Sequence, residues 1–323
     1  FDKKCMMYGI TYNSCMKPVR FACFDIGSNA VRFVIAEFSS LDTFTLLYRK
    51  REPIRLVTSD NPHALLDNDL MRQVRQFFLS QCSLFSSYQV QAYRAVATSA
   101  VRESQNGKAF CEWIEKETSC KLEIISEEEE ARLVYEAVRQ KLNVQDMDWH
   151  MLDIGGGSVQ ISDIHEKELS WTQSCPMGAV RLWERFKHEL PSTNAIESYI
   201  TATIREMNIP SLTRDLDHPI GIATGGSLEE IARLSDTEQT NSSCPLVTIH
   251  QVSTLKRKLL SLTIEERVKQ LHINRDRADI FLPAVILVEQ FCKVMGLSTL
   301  VLPCISLRDG ILLRLAKQNK IGI

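Results

Sequence analysis

The chain has 323 residues, of which 44% are hydrophobic and 24% are charged, and its formal net charge is -2 at pH 7. This length allows two domains and a sizeable core. The near-neutral charge argues against a nucleic-acid binder that tracks phosphates with a basic surface, and no apolar stretch approaches the ~20 residues that span a bilayer. We therefore expect small-molecule partners, with no nucleic acid and no membrane.

The cysteine pattern bears on the compartment. The ten cysteines include no C-x-x-C pair and no Cys/His cluster with zinc-ligand spacing. This pattern favours a reducing compartment, and we expect a cytoplasmic protein. Residues 1–17 lack the long apolar centre of a secretory signal and precede the first patterned strand, so they are predicted to be an N-terminal tail.

Two segments of the chain share one plan of strand, glycine turn and strand. Residues 19–38 read VRFACFDIGSNAVRFVIAEF, and residues 149–164 read WHMLDIGGGSVQISDI. The repeat predicts an internal duplication. Strands and helices alternate after each hairpin, which favours α/β layers in two units that face each other across a cleft. The further predicted elements are strands at 45–56 and 90–100, a helix at 65–85, and a strand that runs into a helix at 221–234.

The glycine turns indicate phosphate binding. Glycine lets backbone N–H groups converge on an anion without interference from Cβ atoms. A single DIGS turn is also typical of a tight hairpin, but here the turn is paired and a third one follows at 224–227. Asp25 and Asp153 end the incoming strands, where a carboxylate can hold a divalent cation against phosphate oxygens. The predicted phosphate-binding residues are Gly27, Ser28, Asn29, Gly155, Gly156, Gly157, Ser158, Gly225 and Gly226.

Residues 123–142, EIISEEEEARLVYEAVRQKL, predict a strand that ends at Ser126 and then a helix. Ser126 and Glu129 fit a capping box, and acidic residues in a first turn suit the helix dipole, which alone could explain the glutamates. However, Glu130 lies one turn before Val134 on the edge of the apolar stripe, so it is predicted to face a cleft. A carboxylate among apolar neighbours has a raised pKa, as a general base requires.

Three arginines complete this candidate anion site. Arg32 follows the first glycine turn, Arg102 follows AVATSAV, and Arg181 follows PMGAV. A guanidinium group can hold phosphate oxygens with two parallel hydrogen bonds. Each arginine alone is equally typical of a surface charge, and only their place near the glycine turns favours phosphate.

Six ordered motifs resemble the exopolyphosphatase/guanosine pentaphosphate phosphatase (Ppx/GppA) family in its short two-domain form. They are FDIGSNAVRFVIAEF, ATSAVRE, IISEEEEARLVY, LDIGGGSVQIS, CPMGAVRL and ATGGSLEEI, and the resemblance covers residues 18–315. It implies an α/β fold of two RNase H-like lobes, in the actin/Hsp70/sugar-kinase (ASKHA) superfamily, with an interdomain cleft. The first lobe is expected at 18–128 together with a C-terminal helix at 308–323, and the second at 129–307. A homodimer is a further expectation.

The same resemblance implies a reaction. Members remove the terminal phosphate of inorganic polyphosphate or the 5′ γ-phosphate of guanosine pentaphosphate with a divalent cation, usually Mg²⁺. Matched motif by motif, Glu130 is the base, Arg102 is the motif arginine, and Asp25 and Asp153 lie beside the metal. Arg32 and Arg277 would contact the phosphates of the substrate.

Two positions depart from the family pattern. Gln160 replaces a glutamate that helps to hold metal or water, and a neutral amide adds no charge and accepts no proton. Gln160 is thus a further candidate metal ligand, one that would hold the metal ion more weakly than glutamate. Glu127 replaces a glycine and brings another negative charge. These changes leave open a catalytically weakened sensor that binds polyphosphate or an alarmone, and the wider fold leaves open a phosphotransferase or ATPase.

Overall fold

The computed structural model describes residues 18–41, 43–142, 148–210, 220–235 and 244–319, so the predicted tail at 1–17 lies outside the described residues. The first sheet has the strand order β3-β2-β1-β4-β5, in which β2 and β3 run antiparallel to their neighbours and β4 and β5 run parallel to β1. Its strands are β1 Val19–Ile26, β2 Val31–Ser40, β3 Thr43–Glu52, β4 Ala92–Ala97 and β5 Glu123–Ile124.

The second sheet repeats this topology. Its order is β10-β11-β9-β6-β7-β8, and its last five strands reproduce the 3-2-1-4-5 order of the first sheet, with β10 added antiparallel at the edge. This confirms both the internal duplication that the repeated hairpins predicted and the two RNase H-like lobes that the resemblance implied. The strands are β6 Trp149–Ile154, β7 Val159–His165, β8 Glu168–Cys175, β9 Ile220–Thr224, β10 Leu246–Thr248 and β11 Thr299–Val301.

Helices cover the sheets. The predicted helix at 65–85 is divided into two in the structure. The apolar segment at 281–288 lies in a helix that is buried over nearly its whole length. The helices of the described residues are α1 Asn68–Cys82, α2 Leu84–Ser87, α3 Ser99–Glu103, α4 Gly107–Thr118, α5 Glu127–Lys141, α6 Ala179–Phe186, α7 Asn194–Glu206, α8 Gly226–Leu234, α9 Ile249–Leu260, α10 Ile264–Leu271, α11 Phe281–Met295 and α12 Leu307–Gln318.

Apolar packing holds the two lobes together. One cluster is built around the first sheet, where Phe24 stacks on Phe78 with ring centroids 4.3 Å apart, and another lies around α11. A third cluster joins residues of both sheets with α5 and α12. Helix α12 contacts both α5 and β1. The exact lobe boundaries remain a prediction, since α5 shares its apolar face with both sheets.

The strand directions place the functional turns. The carboxyl ends of the parallel strands β1 and β4 lie side by side in the first lobe, and those of β6 and β9 do so in the second. The glycine turns follow β1 and β6 directly. Four strand ends thus converge on one cleft. In the part of the chain that the structure describes, no helix is both long and apolar enough to cross a membrane.

Candidate active site

The two glycine turns pack directly against each other across the cleft. A Cβ atom at Gly157 would lie 2.4 Å from the hydroxyl oxygen of Ser28 and 2.4 Å from that of Ser99. A Cβ at Gly156 would lie 3.1 Å from the Cβ of Ser28. Non-bonded heavy atoms normally stay about 3.5 Å or more apart. The glycines are therefore required by the close approach of the two lobes, as well as by any anion.

The backbone groups of these turns already have several partners. The Gly27 N–H donates to the carbonyl of Ala30 at 3.2 Å, and the Gly155 N–H donates to that of Ser158 at 3.0 Å. These two amides close their own hairpins and cannot also serve a phosphate. Among the described residues, the amides of Gly156 and Gly157 have no backbone acceptor. Fewer of these glycine N–H groups than predicted are therefore available to bind phosphate.

The carbonyls of the triple-glycine turn accept hydrogen bonds from the start of α6. The amides of Gly178, Ala179 and Val180 donate to Gly157, Gly155 and Gly156, respectively, at 2.8–3.1 Å. Arg181 reinforces this contact, since its Nε donates to the Gly157 carbonyl at 2.9 Å and its Nη2 donates to Glu103 at 2.7 Å. The side chain of Arg181 is only 4% exposed. The prediction that Arg181 could clamp phosphate is therefore wrong, because its guanidinium group is buried and stabilises the triple-glycine turn by a hydrogen bond.

A cavity of about 140 Å³ opens where the strand ends meet. It brings together most of the predicted site residues from both halves of the chain. Arg102, Gly157 and Gln160 are outside its lining. The charged side chains that line it are Asp25, Arg32, Glu130, Asp153, Glu229, Arg277 and Arg308.

Sequence reasoning missed several residues that line the cavity, among them four with a polar or charged side chain: Thr98, Ser99, Glu229 and Arg308. Thr98 and Ser99 belong to ATSAVRE, and Arg308 belongs to SLRDG near the end of the chain, so their motifs carried a signal. Glu229 follows the TGGS turn, and its pattern is that of an ordinary helix start. These residues enter the site because α3, α8 and α12 all begin at the cleft.

Glu130 faces this cavity as the apolar stripe predicted. The Ser126 hydroxyl accepts from the Glu129 N–H at 3.1 Å and starts α5, which places Glu130 one turn inside the helix. The side chain of Glu130 is 12% exposed. Burial raises the pKa of Glu130 to about 7, Arg102 opposes this rise, and the nearby carboxylates of Asp153 and Asp25 add to it. A carboxyl group with this pKa suits a general base at neutral pH.

Arg102 holds Glu130 in place. Its Nη1 donates to Glu130 Oε2 at 2.9 Å and to the Ile125 carbonyl at 3.0 Å. Within the described residues, Nε and Nη2 of Arg102 are buried without a hydrogen-bond partner. The reciprocal half of the predicted capping box is wrong, because the Glu129 carboxylate pairs with Arg94 at 2.8 Å instead of capping the helix.

The two motif aspartates both line the cavity, Asp25 from the first lobe and Asp153 from the second. Asp153 Oδ1 accepts from the Thr224 hydroxyl at 2.7 Å, and burial raises the pKa of Asp153. Asp25 Oδ2 lies 3.4 Å from Arg32 Nη1, and burial lowers the pKa of Arg32. Arg277 also lines the cavity, and burial lowers its pKa to about 10, with the cations of Arg51 and Arg32 contributing. The site therefore sets carboxylates against buried guanidinium groups, an arrangement suited to a metal-bound polyanion.

The carboxylates of the cavity could supply only some of the ligands of a magnesium ion. Among the described residues, no group of three His, Cys, Asp or Glu side chains could hold a metal alone. Mg²⁺ commonly uses one or two carboxylates and completes its shell with waters and substrate phosphates. Asp25 and Asp153 match that description, and magnesium remains a prediction for them.

Gln160 lies directly opposite Asp153 in the ladder between β6 and β7. It is 3% exposed, and its Nε2 donates to the Glu127 carbonyl at 3.1 Å. Within the described chain, its Oε1 is buried without a partner. The Glu127 carboxylate lies 3.7 Å from Arg102 Nη2 and is 46% exposed. The two departures from the family pattern are therefore connected, since Gln160 binds the backbone of Glu127 and the Glu127 carboxylate lies near Arg102.

Ion pairs connect the lobes at the rim of the cavity. Arg55 binds both carboxylate oxygens of Asp279, at 2.7 and 3.0 Å, and Arg51 pairs with Asp276. We call these four residues the interlobe clasp. Arg55 also donates to Asn29 Oδ1 at 3.0 Å, so this amide, predicted to bind phosphate, is engaged by the clasp.

Two RNase H-like lobes that enclose an acidic and arginine-rich cleft give the chain the ASKHA-type fold that the resemblance implied. The chain belongs to the Ppx/GppA phosphatase family, whose sequence profile matches residues 34–319. The match extends over most of the chain, as the six motifs predicted.

Curated relatives and solved structures agree with this assignment. The chain is 25% identical over 320 residues to "Exopolyphosphatase 2" of Mycobacterium tuberculosis, with 93% of this chain and 100% of the relative covered. It is 22% identical over 308 residues to "Exopolyphosphatase 1" of the same organism, with 92% and 88% covered. The structure of an exopolyphosphatase from Cytophaga hutchinsonii superposes with a TM-score of 0.79 at 22% identity, covering 93% of this chain and 98% of that one. The Aquifex aeolicus Ppx/GppA family member gives a TM-score of 0.76 at 22% identity, with 94% and 99% covered.

Proposed function

We propose that this protein is a phosphoanhydride hydrolase that removes the terminal phosphate of inorganic polyphosphate. The observation that carries the proposal is Glu130, whose pKa is about 7 and which faces a cavity shared with Asp25, Asp153, Arg32 and Arg277. A base and buried cations in one cleft are what the transfer of a phosphoryl group to water requires. The exopolyphosphatase names of the curated relatives support the same substrate.

In this proposal Glu130 would transfer the proton, and the other residues would position the substrate. Glu130 would orient the attacking water and accept its proton as oxygen approaches the terminal phosphorus. Arg32, Arg277 and the amide of Gly156 would hold the phosphate oxygens. Magnesium held by Asp25 and Asp153 would neutralise negative charge on the substrate. Since the attack is in line, the remaining polyphosphate leaves on the side away from Glu130.

The size of the cavity bears on the substrate. About 140 Å³ is below the ~300 Å³ at which pockets for drug-sized ligands begin. Such a space fits a few phosphates and leaves the rest of the substrate outside. Guanosine pentaphosphate presents the same terminal anhydride, so we propose it as a second substrate whose nucleoside stays outside the cavity.

Phosphate release tests the proposal directly. The protein would be incubated with long-chain polyphosphate or guanosine pentaphosphate in Mg²⁺, and orthophosphate would be measured. We expect release from polyphosphate, and the ratio of the two rates would identify the preferred substrate. Absence of release from both, together with ATP-dependent phosphorylation of a sugar or acetate, would instead identify a phosphotransferase.

A weakened sensor is the second candidate, and Gln160 is the observation that favours it. Its amide nitrogen is bound to the Glu127 carbonyl, and it supplies no charge beside Asp153. A sensor would melt at a higher temperature with polyphosphate but would release no phosphate. Both quantities can be measured on the same sample.

Gln160→Glu is expected to lower the Mg²⁺ concentration for half-maximal binding or activity by on the order of tenfold, since a carboxylate would face Asp153 across the ladder. Isothermal titration and the Mg²⁺ dependence of phosphate release would measure the change. Gln160→Met is the control, because it also removes the hydrogen bond to Glu127 but adds no charge. Equal Mg²⁺ affinity in both variants would contradict a role for charge at this position.

A further inference from the structure

Two cysteines that are far apart in sequence meet in the first lobe. Cys82 is the last residue of α1, and Cys120 follows the end of α4. Their Sγ atoms lie 2.7 Å apart, although 38 positions separate them along the chain. Two sulfurs at this distance are closer than ordinary non-bonded contact, which for smaller carbon atoms is already about 3.5 Å. The fold therefore brings two thiols almost to bonding distance.

The surroundings of Cys120 fix its position. Ser119 ends α4 in the left-handed conformation, with φ 57°, and turns the chain back toward α1. The Cys120 N–H then donates to the Thr118 hydroxyl at 3.2 Å, and the Lys121 N–H donates to the Tyr93 hydroxyl at 3.0 Å. Cys120 is 5% exposed, whereas Cys82 is only half-buried. A small oxidant could reach the pair from the side of Cys82.

The two thiols differ in acidity. Hydrogen bonds from Cys82 first, and also from Tyr93 and Thr118, lower the pKa of Cys120 to about 7. The same contact with Cys120, together with burial, raises the pKa of Cys82. The thiolate is the reactive form of cysteine, so Cys120 is the better nucleophile of the two.

We propose that Cys82 and Cys120 form a redox modification site that closes to an intrachain disulfide when the protein meets a peroxide. The Cys120 thiolate attacks one peroxide oxygen, the O–O bond breaks, and Cys120 becomes a sulfenic acid as water leaves. Cys82 loses its proton and attacks the Cys120 sulfur, and the sulfenic oxygen departs as a second water. Two thiols are oxidised, one peroxide is reduced to two waters, and a dithiol reductant reverses the change.

The disulfide would act on stability and leave the chemistry intact. It would connect α1 to the segment that leads into β5, and such a cross-link restricts the unfolded chain. Neither cysteine lines the active-site cavity. We therefore expect oxidation to raise the melting temperature by on the order of 5 °C while the reaction rate stays within about twofold.

Peptide mapping of the full-length protein tests this proposal. Purified protein would be treated with a small excess of hydrogen peroxide and, in parallel, with dithiothreitol, then digested without reduction. The expected product is one cross-linked peptide pair that contains Cys82 and Cys120. Its mass should be about two hydrogen masses below the sum of the two reduced peptides, and it should disappear on reduction. Free-thiol titration should show two thiols fewer, and the melting temperature should fall on reduction.

Cys82→Ser and Cys120→Ser should each abolish both the cross-link and the redox-dependent melting shift. Cys304→Ser is the control, because Cys304 is exposed and should leave the shift unchanged. Over-oxidation of Cys120 without a cross-link, or linkage of either cysteine to another residue, would overturn the proposal. Since the mapping is done on the unaltered protein, a variant that fails to fold does not affect that result.

Discussion

Glu130→Gln is expected to lower phosphate release from polyphosphate by about 10³-fold at pH 8, within the range that a positioned general base contributes. Glutamine keeps the size of the side chain and can still accept the hydrogen bond from Arg102, but it cannot take a proton from water. Steady-state phosphate release at saturating polyphosphate and Mg²⁺ would measure the loss. A loss of less than about tenfold would mean that another group is the base.

The pH dependence of the unaltered protein should show the same group. Because the unprotonated carboxylate is the active form, the rate should rise as pH increases through about 7 and level off above it. This rising limb should be absent in Glu130→Gln.

Stability provides a check against misfolding. In the folded protein the pKa of Glu130 is raised from its ordinary value of 4.5 to about 7. The stability that the protonated side chain contributes is therefore fully present below pH 4.5 and is lost as pH rises through about 7. Without metal, Glu130→Gln should therefore melt no lower than the unaltered protein at pH 8. Glu129→Gln is the matched control, because that side chain pairs with Arg94 outside the cavity and its loss should change the rate by less than about threefold.

Gly157→Ala is expected to lower the rate by about 10²-fold, the loss that a misplacement of about 1 Å can cause. The added methyl group would lie 2.4 Å from two hydroxyl oxygens, so the two turns would have to separate. Separation would move Asp25 away from Asp153, so that the magnesium ion proposed for this site could no longer contact both. The rate, the Mg²⁺ requirement and the melting temperature would be measured together.

Compensating substitutions distinguish this steric explanation from loss of a phosphate contact. Ser28→Ala combined with Ser99→Ala removes both hydroxyls, and the nearest remaining atom is then the Ser28 Cβ at 3.2 Å. Gly157→Ala should therefore cost much less in that background than alone. Equal losses in both backgrounds would show that crowding is not the cause.

The parts of the fold and site that lie within single motifs could be predicted from the sequence. The repeated hairpins revealed both lobes, and the apolar stripe of α5 alone indicated that Glu130 faces inward. Asp25 and Asp153 were found because each ends a patterned strand. In each case a short segment fixes the direction of the side chain.

Contacts between segments could not be predicted in this way. The triple glycine suggested an anion nest, but Gly157 is constrained by Ser28 and Ser99, which belong to the other lobe. Arg181 follows small residues near a glycine turn, and only the packing of α6 shows that it braces the turn. The approach of Cys82 to Cys120 likewise depends on how α1 and α4 pack, for which neither local sequence contains a pattern.

The interlobe clasp has a consequence for how a polyanion reaches the site. Asp276 and Asp279 flank Arg277 on the same segment, and by themselves they would place two negative charges beside the path of the phosphates. Arg51 and Arg55 compensate both charges, so these two aspartates add no net negative charge at the rim. The clasp should therefore lower the electrostatic barrier to association of the proposed polyphosphate substrate, an effect that is largest at low ionic strength.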